Sequence, residues 1–430
     1  MSMPATITIE THQNEFLPAE GRTVDAVLTV TGSGVAGGGA APTSRTDTAE
    51  IILIDASGSM SGSKLVAAKE AAAAAIEALP DGVAFGIVSG DTGARLDYPS
   101  GNELAVSSPR TRRAAQNALR SVRAGGGTAI GVWLTLARTL FARRGAAINH
   151  AILLTDGANG EAEKTFNDAL APCVGQFVCD SRGVGTGWVA RDLIKIAEQL
   201  HGTASGIPDP RDLTADFVAM TSAAMSKNLA GVALRVWTPT GARVQFVKQV
   251  HPEITDLTDR RTDVSARIGE YPIGTWGAET REYHLRVDVE PNPVGEEMLA
   301  ARVSVVHGED VLAQSLVRAV WTDDMASSTR LNRQVAHYSN ETELAEAIQA
   351  GLSARAAGDV EQATARLGTA VRLASEAGRE DTAKMLAKVV DVIDERTGTV
   401  RLRSVAASID VEMAAVGSRK TRQVRRESSD

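Results

Sequence analysis

Five oxygen-bearing residues, in three separate blocks, have the types and spacing to hold a hard cation. Asp55-Ala-Ser57-Gly-Ser59 follows directly on the apolar run Ile51-Ile52-Leu53-Ile54, which puts one carboxylate and two hydroxyls at alternate positions on a loop leaving a strand. Alternate oxygens on a tight Gly/Ser turn can converge on one point, and a hard divalent cation binds such oxygens well. Gly125-Gly126-Gly127-Thr128 offers a further hydroxyl on a glycine-rich loop, and Leu153-Leu154-Thr155-Asp156-Gly157 a second carboxylate just past another apolar run. Neutral hydroxyls and only two carboxylates leave a bound Mg²⁺ or Mn²⁺ under-neutralised, and Mg²⁺ retains waters where protein ligands are few. An exposed position of that kind favours an incoming carboxylate from another molecule. The plainer role for Ser57, Ser59 and Thr128 is to cap turns or helices.

In this order, Asp-x-Ser-x-Ser, a distant Thr and a Thr-Asp-Gly after a strand resemble the metal-ion-dependent adhesion site of von Willebrand factor type A domains. All five positions are present, as Asp55, Ser57, Ser59, Thr128 and Asp156. The resemblance implies that the two serines contact the ion directly and that Asp156 often acts through water. It implies that Thr128 joins or leaves the ion as the domain changes state, and that a partner's Asp or Glu completes the coordination. So read, the site docks an acidic side chain and catalyses nothing. The Gly/Ala-rich, acidic chain also looks similar to cytoplasmic actinobacterial proteins of this type. These are associated with Ser/Thr kinase, phosphatase or forkhead-associated signalling modules, or with stress-resistance assemblies. The expected function is a bacterial scaffold or adaptor for protein–protein interaction. Two alternatives stand beside it: an adaptor subunit of an AAA+ ATPase (chelatase-like) complex, and a metal-dependent hydrolase.

Familiar enzyme patterns fail on particular residues. An aspartyl-phosphate-forming phosphatase would show Asp-x-Asp, but Ser57 stands at the second position. Gly125-Gly126-Gly127 continues into Thr128-Ala129 without the Gly-Lys-Ser/Thr of a phosphate-cradling loop. Gly58 and Gly62 enclose Ser59-Met60-Ser61, which puts Met at the centre where a nucleophile elbow needs Ser. The seven histidines form no His-x-x-x-His pair. A metal with an open position could activate water, but nothing nearby in sequence identifies a general base.

At 430 residues the chain has room for two or three domains with real cores. Its formal charge of −8 argues against nucleic acid as the main partner. The start, Met1-Ser-Met-Pro-Ala-Thr-Ile-Thr-Ile-Glu, lacks a basic region followed by an apolar stretch, and no apolar run reaches membrane-spanning length. A cytoplasmic protein with no membrane partner is expected. Two cysteines, Cys173 and Cys179, are too few for a disulfide framework and read as small buried residues.

Residues 47–229 alternate strand and helix signals as a parallel α/β sheet requires. Strands are expected near Ile51–Ile54, Val83–Val88, Ala151–Leu154, Phe177–Val184 and residues 203–207. Helices are expected from Ser63 to Leu79, from Ser108-Pro109 through Arg123, and over Ile130–Arg143, Val189–His201 and Leu213–Leu229. All three oxygen-bearing blocks then fall at the carboxyl edge of the sheet, where open α/β folds bind ligands. From 230 to 325 the period changes to two, as in Tyr283, Leu285, Val287 and Val289. Residues 1–31 share that pattern, and lone strands do not stand alone in water. They are therefore expected to join the later strands in one β-sandwich, with the α/β domain inserted between them through a Gly/Ala-rich linker at 32–46. Residues 326–416 read as a helical region turning at Gly358-Asp359, and 417–430 as a disordered basic tail whose Thr421, Ser428 and Ser429 suit a basic-directed kinase. The fold class is thus a doubly wound, mostly parallel α/β sheet of the von Willebrand factor A, Rossmann-like kind, inserted in an antiparallel β-sandwich and followed by a C-terminal α-helical bundle.

Overall fold

The computed structural model of the chain describes residues 6–33, 47–403 and 406–424. It opens with β1 (Thr6–Gln13), β2 (Phe16–Leu17) and β3 (Thr23–Ser33). An α/β unit follows, made of residues 47–230 together with 406–416. In chain order its elements are β4 (Thr48–Asp55), α1 (Ser63–Ala78), β5 (Ala84–Gly90), β6 (Ala94–Tyr98), β7 (Ala105–Val106), α2 (Pro109–Leu119) and α3 (Ile130–Arg144). Then come β8 (Ile148–Thr155), α4 (Glu163–Leu170), β9 (Val178–Val184), α5 (Ala190–Gln199), β10 (Ala204–Ile207) and α6 (Leu213–Met225). The sheet runs in the order β10-β9-β8-β4-β5-β6, with β7 also on β5. β10, β9, β8, β4 and β5 are parallel, and β6 and β7 antiparallel.

Continuous apolar strands suit a sheet covered on both faces. Ile51, Leu53, Ala151 and Leu153 pack with Trp133, Phe141 and Leu193 on one side, while Ile52, Ile54, Ile152 and Leu154 pack with Ala72, Ile76 and Phe217 on the other. Ser108 and Thr111 form a reciprocal capping box ahead of Pro109, which starts α2. That helix stops at Leu119, short of Arg123, because Ser121 and Val122 bond back three residues instead of four. α6 stops at Met225 because Leu229 already belongs to the next strand.

The second unit comprises residues 6–33, 231–403 and 417–424. Its strands are β11 (Leu229–Trp237), β12 (Arg243–His251), β13 (Thr255–Asp256), β14 (Thr262–Ser265), β15 (Ile268–Trp276), β16 (Glu279–Asp288), β17 (Glu297–His307) and β18 (Asp310–Trp321). One sheet has the order β1-β3-β16-β12-β13 and the other β14-β15-β11-β17-β18-β2. The N-terminal strands therefore complete both sheets, and the α/β unit is an insertion between β3 and β11. Thr11 and Ser315 share a hydroxyl bond of 2.7 Å from one sheet to the other. Four helices follow: α7 (Met325–Ser328), α8 (Arg333–Ala356), α9 (Val360–Glu376) and α10 (Glu380–Leu386). Gly358, at φ +79°, makes the turn between α8 and α9, and Asp359 caps α9 through the Gln362 N–H.

The region 326–416 is not helical throughout. Val390–Asp394 (β19) and Thr399–Leu402 (β20) form a hairpin, turned by Gly398 at φ +70°. The last helix, α11 (Ser408–Gly417), belongs largely to the α/β unit. Ile409, Met413 and Val416 join its core, and Glu412 accepts from the Ala190 N–H at 2.6 Å, capping α5. Nor are residues 417–424 a free basic tail. Arg419 is buried and donates to the Ile254 carbonyl, the Lys420 backbone pairs with Glu253 in an isolated antiparallel β-bridge, and the Thr421 hydroxyl donates to the Val250 carbonyl at 2.6 Å. A basic stretch is held here because its backbone and guanidinium meet open carbonyls around β12 and β13. Ser428 and Ser429, and most of the 32–46 linker, lie outside the described residues. Among the described residues no helix is long and apolar enough to cross a membrane. Cys173 and Cys179 are free and buried, and burial pushes both thiols up, Cys173 to about 11.

One charged row crosses the α/β sheet far from its carboxyl edge. Glu50 on β4 and His150 on β8 are register partners. His150 Nδ1 meets Glu50 Oε2 at 2.9 Å, and its Nε2 meets Asp180 Oδ2 on β9 at 3.1 Å. Thr203 donates to the other Asp180 oxygen at 2.7 Å. Burial alone would push the imidazole down, but the charge of Glu50 and the bonds to both carboxylates outweigh it and hold His150 at about 10. This folded value lies above the ordinary 6.5. The stability His150 contributes is therefore full below about pH 6.5 and lost as pH rises through about 10. Replacing His150 with Ala leaves buried carboxylates unpaired and should cost about 3–5 kcal/mol. Urea denaturation at pH 6.5 checks that loss, and the variant should also lose the decline in stability between pH 7 and 10.

Candidate metal centre

The register of β4 on β8, from Thr48 opposite Ile148 to Ile54 opposite Leu154, brings both strands to the carboxyl edge level with each other. Asp55 then faces Thr155. The Thr155 hydroxyl donates to Asp55 Oδ2 at 2.6 Å, and the Ser57 N–H donates to Oδ1 at 2.7 Å. Asp55 is fully buried. Burial pushes its carboxyl up against the pull of the Ser57 and Thr155 bonds, and the Asp156 charge adds to the rise. Both neighbours donating to Asp55 are neutral.

Beyond Asp55 the chain makes one 3₁₀ turn, Gly58–Met60, anchored by the buried Met60. This brings the Ser57 and Ser59 hydroxyls to 3.0 Å from each other, and Ser59 Oγ donates to Asp156 Oδ1 at 2.6 Å. The glycine loop is stitched alongside: the Gly125 N–H donates to the Ala56 carbonyl at 2.8 Å, and the Gly58 N–H to the Gly126 carbonyl at 3.1 Å. Gly126 sits at φ +76°, where a side chain would be strained. Thr128 Oγ1 and Ser59 Oγ lie 3.6 and 3.7 Å from where a Cβ on Gly157 would stand, so both face one space above Gly157. The structure thus links Asp55, Ser57, Ser59 and Asp156 through a cluster of short contacts and sets the Thr128 hydroxyl beside them.

Several contributors are not evident from sequence. Thr155 sits inside the Thr-Asp-Gly block, but only the strand register shows that it serves Asp55. Asn159 Oδ1 and Glu161 Oε2 accept from the Ile130 and Gly131 N–H groups at 3.1 and 2.6 Å, and the Gly160 N–H donates to the Thr128 carbonyl at 2.7 Å. These bonds tie the loop after Asp156 to the start of α3 and so hold Thr128. Lys64, on the first turn of α1, reaches Asp156 Oδ2 at 2.5 Å. No local spacing marks any of these.

The donor set fits a hard divalent cation. All five side chains offer oxygen, and neighbouring ligands of an octahedral Mg²⁺ stand about 3 Å apart, as the Ser57 and Ser59 hydroxyls do here at 3.0 Å. Among the described residues no cluster of three His, Cys, Asp or Glu side chains is placed to hold a metal. That agrees with a centre in which three of five donors are hydroxyls. His150, five positions back along β8, is about 16 Å from Thr155 by strand rise.

The sequence profile of the von Willebrand factor type A domain matches residues 50–205, and that of the von Willebrand factor type A C-terminal domain matches residues 372–414. A solved von Willebrand factor type A protein from Catenulispora acidiphila is 44% identical, with 98% of each chain covered and a TM-score of 0.91. The chain belongs to the von Willebrand factor type A family. The ArnB paralog VWA2 from Sulfolobus acidocaldarius shares the fold at 15% identity, with a TM-score of 0.62 over 97% of this chain and 98% of that one. An uncharacterised protein of Synechocystis is 27% identical over 213 residues, which are 48% of this chain and about half (49%) of that relative's length. The C-terminal match takes in α11 as far as Ala414, including Ile409 and Met413, which pack on the core of the α/β unit.

Gly157 has no positive φ, so a side chain there is tolerated by the backbone and grows into the space faced by Ser59 and Thr128. Gly157→Ala should keep the thermal midpoint within about 3 °C, since its Cβ meets only ordinary van der Waals neighbours, Thr128 Oγ1 and Ser59 Oγ at 3.6 and 3.7 Å. It should weaken Mn²⁺ uptake, read by calorimetry, by at least about tenfold.

Proposed function

We propose that this protein is a non-catalytic, metal-dependent interaction protein. Asp55, Ser57, Ser59, Thr128 and Asp156 would hold Mg²⁺ or Mn²⁺, and an Asp or Glu side chain of a protein partner would bind beside them. A bound ion of this kind supplies positive charge and an outward coordination position that two carboxylates leave incompletely neutralised. The chain's own residues do the rest. Thr155 and the Ser57 amide orient Asp55, the 3₁₀ turn presents the two serines, and the Gly160 bond holds Thr128.

The observation that carries this reading is the run of contacts Ser57–Ser59–Asp156 at 3.0 and 2.6 Å, on a turn whose glycine neighbours leave it open. Ser59 is exposed although Asp55, Ser57 and Asp156 are buried, so the cluster opens outward at its hydroxyl end. A scaffold or adaptor role in bacterial signalling or stress-response assembly is the setting we favour. The partner is defined only by its chemistry, an exposed acidic residue.

Calorimetry of the full chain with MgCl₂ or MnCl₂ should show saturable uptake that drops at least about tenfold in Asp55→Ala and in the milder double variant Ser57→Ala/Ser59→Ala. A pull-down in Mg²⁺ should retain an acidic partner that EDTA or either variant releases. Equal metal uptake by all three proteins would overturn the proposal.

A further inference from the structure

Lys64 carries a role that the five oxygen donors do not include. Its ammonium lies 2.5 Å from Asp156 Oδ2, the carboxylate oxygen that Ser59 does not use. The Asp156 side chain is fully buried and the Lys64 side chain is 31% exposed, so the pair sits at the boundary between the site and solvent. The loop after β9 flanks it: a Cβ on Gly185 would stand 3.4 Å from Lys64 Cε and 3.8 Å from Nζ.

The helix does not explain this placement. Lys64 is the second residue of α1, whose first turn has no acidic residue and whose N-cap, Gly62, offers no side chain. A cation there opposes the helix dipole, which favours negative charge at its N-terminus. The attraction that holds Lys64 is therefore Asp156 itself.

We infer that Lys64 is a built-in competitor of the cation: it neutralises Asp156 when no divalent ion is bound, and an ion must pull that carboxylate away from it. The proposal rests on the metal reading above. It makes the centre weak for a bare ion. It also leaves a freed ammonium at the mouth, where an arriving carboxylate gains a second positive neighbour. Lys64 is thus a positioning residue that sets how strongly the centre depends on its acidic partner.

The test is calorimetric titration of the full chain with MnCl₂ in wild type, Lys64→Gln, Lys64→Met and Lys64→Arg. Both neutral variants should bind Mn²⁺ about tenfold tighter, or about 1.4 kcal/mol, while Lys64→Arg, which keeps the charge, stays near wild type. Without metal the neutral variants should melt lower than wild type, and Mn²⁺ should raise their midpoint further than it raises that of wild type. Wild type that binds Mn²⁺ with neutral variants no tighter would end the Lys64 proposal and leave the metal centre standing. If neither wild type nor the neutral variants take up Mn²⁺, both proposals fall.

Discussion

Two adjoining parallel strands that end level impose the main electrostatic burden of this protein. The β4–β8 register sets Asp55 and Asp156 at one buried edge, surrounded by hydroxyls, backbone amides and one ammonium. Taking a carboxylate out of water costs several kcal/mol unless it is paired and hydrogen-bonded. Thr155, the Ser57 amide, Ser59 and Lys64 meet part of that cost, and the loops around them exist in the form needed to keep these donors in place.

Glycines make this possible where loops touch. A Cβ on Gly187 would stand 2.7 Å from the Asp156 carbonyl, and one on Gly160 would stand 3.0 Å from the Thr128 carbonyl. Backbone can approach backbone this closely only without side chains. The same sheet is made rigid elsewhere by the row Glu50–His150–Asp180, in which an imidazole between two carboxylates ties three neighbouring strands together. The structural charge cluster and the candidate metal centre thus occupy different places along the same strands. They differ in that the first is satisfied within the protein, while the second is open at Ser59.

Most α/β elements were legible because buried parallel strands read as unbroken apolar runs and α2 carries a clear cap at Ser108-Pro109; the eight-residue α4 (Glu163–Leu170), which has no side-chain cap, was not. The N-terminal strands were placed in the sandwich by the same reasoning, since a period of two without neighbours has no way to be buried. The edge strand β6 escaped notice because Ala94–Tyr98 is only half-buried and mixes charge with apolar residues. The hairpin β19–β20 was masked by the strong helical pattern before it. Residues 417–424 read as a solvated tail because five arginines and lysines lie within ten residues. Their partners are carbonyls around β12 and β13, more than 160 residues away.

Sequence alone determined the chemistry on offer: five hard-oxygen donors, four at or just past strand ends and Thr128 just ahead of a helix, on loops loosened by glycine, in a chain with no catalytic pattern beside them. Residue type and short spacing are enough for that, because strand, turn and donor are all local. Only the tertiary structure decided which of these groups meet and what they meet. The pairing of Thr155 with Asp55, the clamp of Asn159 and Glu161 on α3, and the ion pair of Lys64 with Asp156 depend on strand register and helix placement. Those are set by burial of the whole sheet, which no local spacing encodes.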